Sequence, residues 1–372
     1  MRIAFVALNF SEYAWCLAKE LAVEHQVLAI FNMNNCQDEL SSLPESSSLP
    51  NLQILFLPHR SSIRTVLFNT YTLIKAIRKF QPDIVHYQED GKDCFIFALP
   101  WIKNYPFVLT IHDPIPHSGA DFYLRRWHRL GLYVRILRRI CDVAIVHGNY
   151  LKLNTEYILP RLKGRIYVVP HGPLGLLDGQ SSRDWEPGNL LFFGRMEAYK
   201  GLSYFIAAVQ ELQRRGLSVK GVIAGRGSDL DRHLHIIDEN SLYEIHDGFV
   251  TRKRLAELFK RANVVVLPYT DGTQSGVAAM ALGYERPVVA SKVGSIPEMV
   301  RDGVNGYLVP PKDLERLVEA LIRLIEDQSV SVKMADNAAM LCNGENSWHV
   351  LAGKTVSVYE KAIYFRAASN AS

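Results

Sequence analysis

Short runs of β-branched and aromatic residues alternate along this chain with longer stretches whose apolar positions recur every three or four residues. The short runs predict buried strands at 3–8, 26–30, 53–57, 84–87, 107–111, 143–146 and 166–169, and a second set at 190–193, 219–224, 245–249, 264–267 and 288–290. The longer stretches predict helices between most of the first strands and, in the second half, near 202–215, 252–262, 275–283 and 313–326. Leu314, Leu317, Leu321 and Leu324 share one face of the last of these, with Asp313 as its N-cap, so it is core packing without chemistry. Strand and helix in alternation specify an α/β chain built of parallel sheets. The segment 171–189 is rich in Gly, Ser, Asp and Pro, has no apolar period and reads as a linker. The expected organisation is a first doubly wound unit over 1–175, a linker at 176–188, a second doubly wound unit over 189–345 and a terminal segment over 346–372 whose last residues, "AASNAS", fray. Two such units place the carboxyl ends of both sheets around one cleft, where sheets of this kind bind ligands.

Length agrees with two cores: 372 residues exceed one ordinary domain, and 48% hydrophobic with 22% charged residues is a globular composition. The opening "MRIAFVALNF" breaks at Asn9, too early for a signal peptide or a span, and reads as a first strand. Five cysteines without a CxxC pair suggest neither a disulfide framework nor a zinc site, and a reducing cytoplasm is the expected home. The net charge of +4 is uneven, because residues 1–175 carry 19 Lys and Arg against 14 Asp and Glu. Six arginines flank the helical stripe Trp127, Leu130, Val134 and Leu137 in 125–139. That helix either packs on the surface through its stripe or rests on anionic lipid, which would suit a lipid-linked acceptor. No module for reading nucleic acid is present.

Chemistry is expected just past the strand ends. "GRMEAYKG" (194–201) sets Arg195 and Lys200 between a strand and a helix. "GTQSGVAAMA" sets Ser275 and Gly276 at a helix start, where backbone N–H groups and the dipole favour a phosphate. Two cations with a helix terminus suit a diphosphate. Asp229 and Asp231 form a DxD, but at an apparent helix start, where acids complement the dipole; no metal is therefore predicted, and no HExxH, GxSxG, Walker or dinucleotide motif occurs.

The runs "LLFFGRMEAYKGLSYFIAAV", "GVIAGRGSDL", "HDGFVTRKRLAELFKRANVVVLPY" and "QSGVAAMALGYERPVVASKVGSIPEMVRDGVNGYLVPPKDLERLVEAL" resemble, in order, the carboxy-terminal half of the GT4 retaining glycosyltransferases. "PDIVHYQ", "LTIHDPIPH" and "YVVPHGP" are compatible with that family's first half, and "SWHVLAGKTVSVYEKAI" with its closing helix. The resemblance implies a GT-B fold, two Rossmann-like domains facing a central cleft, and transfer of a hexose from a nucleoside-diphosphate sugar to a saccharide or lipid-linked acceptor, with no cofactor beyond the donor itself. By the same resemblance Arg195 and Lys200, following Gly194, hold the departing diphosphate. Ser275, Gly276 and Val277 meet its distal phosphate, Phe249 and Val250 flank the base, and His112 approaches the sugar with Asp113 beside it.

The departures are specific. The family brackets the Ser275 loop with two glutamates eight positions apart; aligning on Pro287 puts Gly272 and Met280 there, and aligning on "AMALG" puts Thr270 and Ala278. Asp271 and, one loop on, Glu298 are the nearby acids. The family's Gly-Gly loop after the first strand is replaced by "NFSEYAW" (9–15), which would put Ser11 and Glu12 on the acceptor side. Such changes point first to an altered donor and second to a sugar-nucleotide binder or partner subunit without activity. A GT-B epimerase is a further alternative, needing acids placed for proton abstraction.

Overall fold

The computed structural model of the protein describes every residue except 41, 46–48, 59–61, 91, 116–128, 176–184, 238–240 and 372. Among the described residues, 1–170 with 348–371 form one compact unit and 171–347 form another. Most of the expected linker, 176–184, lies outside the described residues.

In the first unit β1 (Arg2–Ala7), β2 (Gln26–Asn32), β3 (Leu52–Leu57), β4 (Ile84–Gln88), β5 (Phe107–Thr110), β6 (Val143–Val146) and β7 (Ile166–Val168) line up as β3-β2-β1-β4-β5-β6-β7. Every pairing is parallel. Side chains alternate between faces. Ala4, Val6, Val85, Tyr87 and Leu109 share a core with Leu73 and Ile77 of the helix Ile63–Phe80, Phe95 and Ile102 of the helix Asp93–Ile102, and Leu137 of the helix Arg129–Ile140. The opposite face holds His86, whose Nδ1 meets the Tyr359 hydroxyl at 2.7 Å. Tyr359 belongs to the helix Trp348–Ala371, which lies against the helix Ser11–Glu24. Arg366 of that helix donates to Asp142 at 2.8 Å. The frayed tail expected for the last six residues is instead helical through Ala371, and the Ser369 hydroxyl turns back to the Phe365 carbonyl at 2.9 Å.

The second unit repeats the plan with β8 (Asn189–Phe193), β9 (Lys220–Gly225), β10 (Tyr243–Asp247), β11 (Val264–Leu267), β12 (Val288–Ser291) and β13 (Gly306–Val309), ordered β10-β9-β8-β11-β12-β13. β13 has no counterpart among the expected strands. Its four residues, GYLV, open on a glycine and stand between Asn305 and Pro310, so the run reads as loop. Asp313 caps the helix Leu314–Glu326 by accepting from the Arg316 N–H at 3.0 Å, and Leu317, Leu321 and Leu324 are buried beneath it. Each sheet reverses its order once, between β1 and β4 and between β8 and β11. Ligand crevices of doubly wound sheets open beyond the strand ends at that reversal.

Candidate functional site

In the second unit the loops after β8, β9, β11 and β12 are stitched into one surface. The Gly194 and Met196 N–H groups donate to the carbonyls of Ala224 (3.0 Å) and Arg226 (2.8 Å). At Gly225, φ is +139° and an added Cβ would stand 1.9 Å from the Gly194 carbonyl oxygen, so only glycine permits this approach. The Thr270 N–H and hydroxyl both donate to the Tyr199 carbonyl, at 2.7 and 3.2 Å, fixing the loop after β11 on the turn that carries Lys200. The Ser295 N–H reaches the Thr273 carbonyl at 2.7 Å and brings the loop after β12 alongside.

Lys200 lies in the middle of this surface. Its ammonium sits 5.2 Å from the centre of the Tyr269 ring, and a Cβ on Gly194 would come within 2.8 Å of Nζ and 3.5 Å of Val277. A cation over an aromatic face is favourable, and more so where water is displaced. Tyr269 is itself buried, with its hydroxyl 3.3 Å from Ser275 Oγ. Ser275 caps the helix Gly276–Gly283 by accepting from the Ala278 N–H at 3.2 Å. Gly194, Lys200, Ser275, Gly276 and Val277 are thus brought together: an ammonium, an aromatic platform and a helix start whose first N–H groups have no partner within the helix. Arg195 follows on the exposed surface of the same loop.

The positions that the resemblance assigns to glutamate carry other work. Thr270 holds Tyr199, Gly272 is buried and Ala278 belongs to the cap, while Met280 is packed at the edge of the core around Tyr269 and Val277. Asp271 is exposed and accepts from the N–H of Gly272 at 2.8 Å, a turn within its own loop. Glu298 is exposed on the short helix Ile296–Met299, and its N–H donates to Ser295. Phe249 is exposed after β10, with Val250 half-buried beside it. Asp229 and Asp231 lie in the first turn of the helix Ser228–Ile237, where the Asp229 N–H bonds the Met196 carbonyl. Among the described residues no group of three or more His, Cys, Asp or Glu could hold a metal ion.

In the first unit His112 follows β5 and is buried, with Nε2 2.8 Å from Gln88 Oε1. A carboxamide oxygen only accepts, so Nε2 carries a hydrogen and donates it. The Gln88 amide donates to Thr110 Oγ1 at 3.3 Å, and Thr110 Oγ1 lies 2.7 Å from His86 Nε2. The polar chain runs from Tyr359 through His86, Thr110 and Gln88 to His112. Burial, with the repulsion of His112 second, pushes the His86 pKa down to about 3, so His86 is neutral. Phe10 stacks on the His112 ring at 4.0 Å between centroids, and His147 stands 4.9 Å away. Phe10 has φ +60°, left-handed backbone at the place where the resembling family uses glycine.

Asp113 is half-buried, and its carbonyl is held by Arg138 Nη2 at 2.9 Å. Arg138 also grips the Pro114 carbonyl at 2.9 Å and closes two 2.7 Å bonds on Glu89. Ser11 and Glu12, expected toward the acceptor, are buried at the start of the helix Ser11–Glu24. The Ser11 hydroxyl donates to Asn35 Oδ1 at 2.6 Å, and the Glu12 N–H to Glu39 at 3.0 Å. Within the arginine-rich segment, 125–128 lies outside the described residues, and Arg138 faces the interior. No helix among the described residues is long and apolar enough to cross a membrane. Sequence reading assigned no role to Gln88, Glu89, Phe10 or Tyr269 and counted Arg138 only among the arginines of a surface helix; "HYQED" at the end of β4 carried a signal, as polar residues at a strand end.

Two doubly wound units with parallel sheets, one of them with a cationic surface beside a capped helix start, define a two-domain α/β protein of the GT-B class. The family described as Glycosyltransferase Family 4 matches residues 11–172, and Glycosyl transferases group 1 matches 187–327. The chain is 38% identical over 319 residues to the MMP alpha-(1->4)-mannosyltransferase of Mycolicibacterium hassiacum, covering 78% of this chain and 73% of that one. Its alignments to two further curated relatives span 45% of the length of each. Sucrose-phosphate synthase from Thermosynechococcus elongatus superposes with a TM-score of 0.72 over 98% of this chain and 99% of its own at 17% identity. Anabaena HepE in complex with UDP-glucose does so at 0.66 over 98% of each chain and 16% identity. The chain belongs to the group 1, family 4 glycosyltransferases.

Proposed function

We propose that the protein transfers a hexose from a nucleoside-diphosphate sugar to a saccharide or lipid-linked acceptor, with retention at the anomeric carbon. Residues 189–345 bind the donor and residues 1–175 face the acceptor in this reading. The observation that carries it is the placement of Lys200 over Tyr269, beside Gly194 and Val277 and next to the Ser275-capped helix start. That surface suits the charge that develops on a departing diphosphate, and cations held in place for such a charge act without reorganising at the moment of reaction. Lys200 and Arg195 neutralise the leaving diphosphate, whose oxygen takes the proton of the acceptor hydroxyl as the glycosidic bond forms on the same face of the sugar. The Gly276 and Val277 N–H groups hold its distal phosphate. His112, fixed by Gln88, presents Nδ1 to the sugar, with Asp113 alongside. Phe249 and Val250 border the base, and Asp271 and Glu298 are the acids within reach of the donor side; no further cofactor enters. Relatives named as mannosyltransferases and a neighbour seen with UDP-glucose support a hexosyl donor.

The lost glutamates favour a second reading, a sugar-nucleotide-binding subunit without turnover. Incubation with UDP-, GDP- and ADP-hexoses, with and without candidate acceptors, separates the two. Nucleoside diphosphate released only when acceptor is present supports transfer. Thermal stabilisation by a donor with no release under any condition supports the binder, and a rearranged sugar nucleotide without acceptor would reveal an epimerase. The expected lipid contact through 125–139 keeps only Leu132, Arg135 and Arg139 as exposed described side chains, since Arg138 is spent on Glu89.

A further inference from the structure

The helix Ile63–Phe80 is anchored to the first sheet through Leu73, Ile77 and Phe80, all buried. Its outer face is unusual. Ile63, Leu67, Phe68 and Tyr71 are 65, 59, 57 and 64% exposed, four large apolar side chains within nine residues. Single exposed apolar residues are ordinary, but a contiguous set marks an interaction surface. The neighbouring helix Asp93–Ile102, joined to it where the Thr70 hydroxyl meets the Cys94 carbonyl at 3.3 Å, adds exposed Phe97 and Trp101.

Charge on the same face selects the partner. The helix Ile63–Phe80 contains Arg64, Lys75, Arg78 and Lys79, all exposed, and no acidic residue. At 100° per residue the exposed positions 63, 64, 67, 68, 71, 75, 78 and 79 fall on one side of the helix, the apolar ones mostly in its first half and the basic ones in its second. The third helix of this layer, Arg129–Ile140, also lacks acids. A two-fold contact with a second copy would press this cationic face against itself. Protein interfaces are typically depleted in lysine at their core. Exposed Leu, Phe, Tyr and Trp beside Lys and Arg, with a single half-buried carboxylate, Asp93, at the start of the second helix, match an anionic bilayer surface, into which aromatic and aliphatic side chains dip while the cations remain at headgroup level.

We propose that the face formed by Ile63–Phe80 and Asp93–Ile102 docks the protein on anionic lipid. The contact is peripheral and does not depend on which sugar is transferred. It would bring the first unit to a bilayer in which a lipid-linked acceptor resides.

The test is co-sedimentation of the full chain, without donor or acceptor, with vesicles of phosphatidylcholine and phosphatidylglycerol in equal parts and with phosphatidylcholine alone. Wild type should bind the anionic vesicles at low salt and release from them as salt rises. The triple variant Lys75→Glu, Arg78→Glu, Lys79→Glu should lower partition by about a hundredfold or more, since each cation near an anionic surface contributes roughly a fivefold factor. Leu67→Ser, Phe68→Ser, Tyr71→Ser should weaken it too, with circular dichroism and thermal midpoint reporting that both variants remain folded. The proposal is overturned if wild type stays in the supernatant, if either folded triple variant binds as wild type does, or if Arg135→Glu, Arg139→Glu alone abolishes binding. Concentration-dependent dimerisation lost in the serine variant, without vesicle binding, would assign the face to a second copy instead. Because no substrate is present, failure here leaves the transferase reading intact, and the reverse holds.

Discussion

Arg138 and Glu89 stand 49 positions apart in the chain and meet through two parallel hydrogen bonds of 2.7 Å, both side chains nearly closed to solvent. The same guanidinium holds the carbonyls of Asp113 and Pro114, so the segment after His112 is fastened to the end of β4. Removing one partner strands a buried charge, which costs about 3–5 kcal/mol. Arg138→Ala should lose that much in urea unfolding, and Glu89→Ala, Arg138→Ala together should lose less than the sum of the single changes. Arg138→Lys keeps the charge but cannot reach all four acceptors. It should lower kcat while leaving donor binding unchanged; an unaltered kcat would separate this clamp from the chemistry.

Lys200 should matter for turnover more than for stability. Its ammonium is half-exposed over Tyr269, so the fold loses little without it. A contact to charge that appears only in the transition state is worth roughly 3–4 kcal/mol. Lys200→Ala should therefore reduce kcat/KM by about a hundredfold or more with a small change in thermal midpoint. Arg195→Ala should act in the same direction. Wild-type kinetics in Lys200→Ala would remove the diphosphate role.

The two glycines that shape this surface predict opposite phenotypes. A methyl group on Gly194 would meet the flexible end of Lys200 at 2.8 Å, whereas one on Gly225 would meet the Gly194 carbonyl at 1.9 Å. Both have φ well above zero, beyond the left-handed helical region, so each substitution carries backbone strain of about 1–3 kcal/mol. Gly194→Ala should fold, with a displaced ammonium and depressed turnover. Gly225→Ala adds a backbone collision and should give little soluble protein. Equal expression and equal activity of the two variants would contradict this placement of the loops.

Both doubly wound sheets were legible in the sequence because their strands are buried on two faces and read as unbroken apolar runs, as in "IAFVAL" and "VVVL". β13 was not, since GYLV opens on a glycine and runs straight into Pro310, which together read as loop. Arg195, Lys200 and Ser275 could be picked out because they occupy a strand end and a helix start, positions that local sequence marks. Arg138 was misleading for the opposite reason: helical spacing shows which side of a helix an arginine occupies, but not that Glu89 waits on another element. Ser11 likewise follows a strand end and still turns inward to Asn35. The Gln88–His112 bond joins two strand ends 24 positions apart, a pairing set by the order of β4 and β5 in the sheet, which no local pattern states.

His86 makes the buried polar chain sensitive to acid. In the unfolded chain it titrates near its ordinary 6.5, and in the fold burial lowers this to about 3. Between those values the unfolded state binds the extra proton, so the contribution of His86 is complete above 6.5 and declines by about 1.4 kcal/mol per pH unit as pH falls toward 3. Asp90, raised by burial from 3.8 to about 6, acts in the reverse sense over part of the same interval and offsets the slope in the wild type. A comparison with His86→Gln isolates the histidine, because glutamine can still bond Thr110 and Tyr359 without titrating. Urea unfolding between about pH 6 and pH 4 should give a stability slope smaller by about 1.4 kcal/mol per unit in the variant than in the wild type. Parallel curves would mean that His86 is not held neutral. The consequence for the site follows from hydrogen-bond direction. A protonated His86 would donate from Nε2 to Thr110 Oγ1, within the same set of bonds through which Gln88 is oriented toward His112.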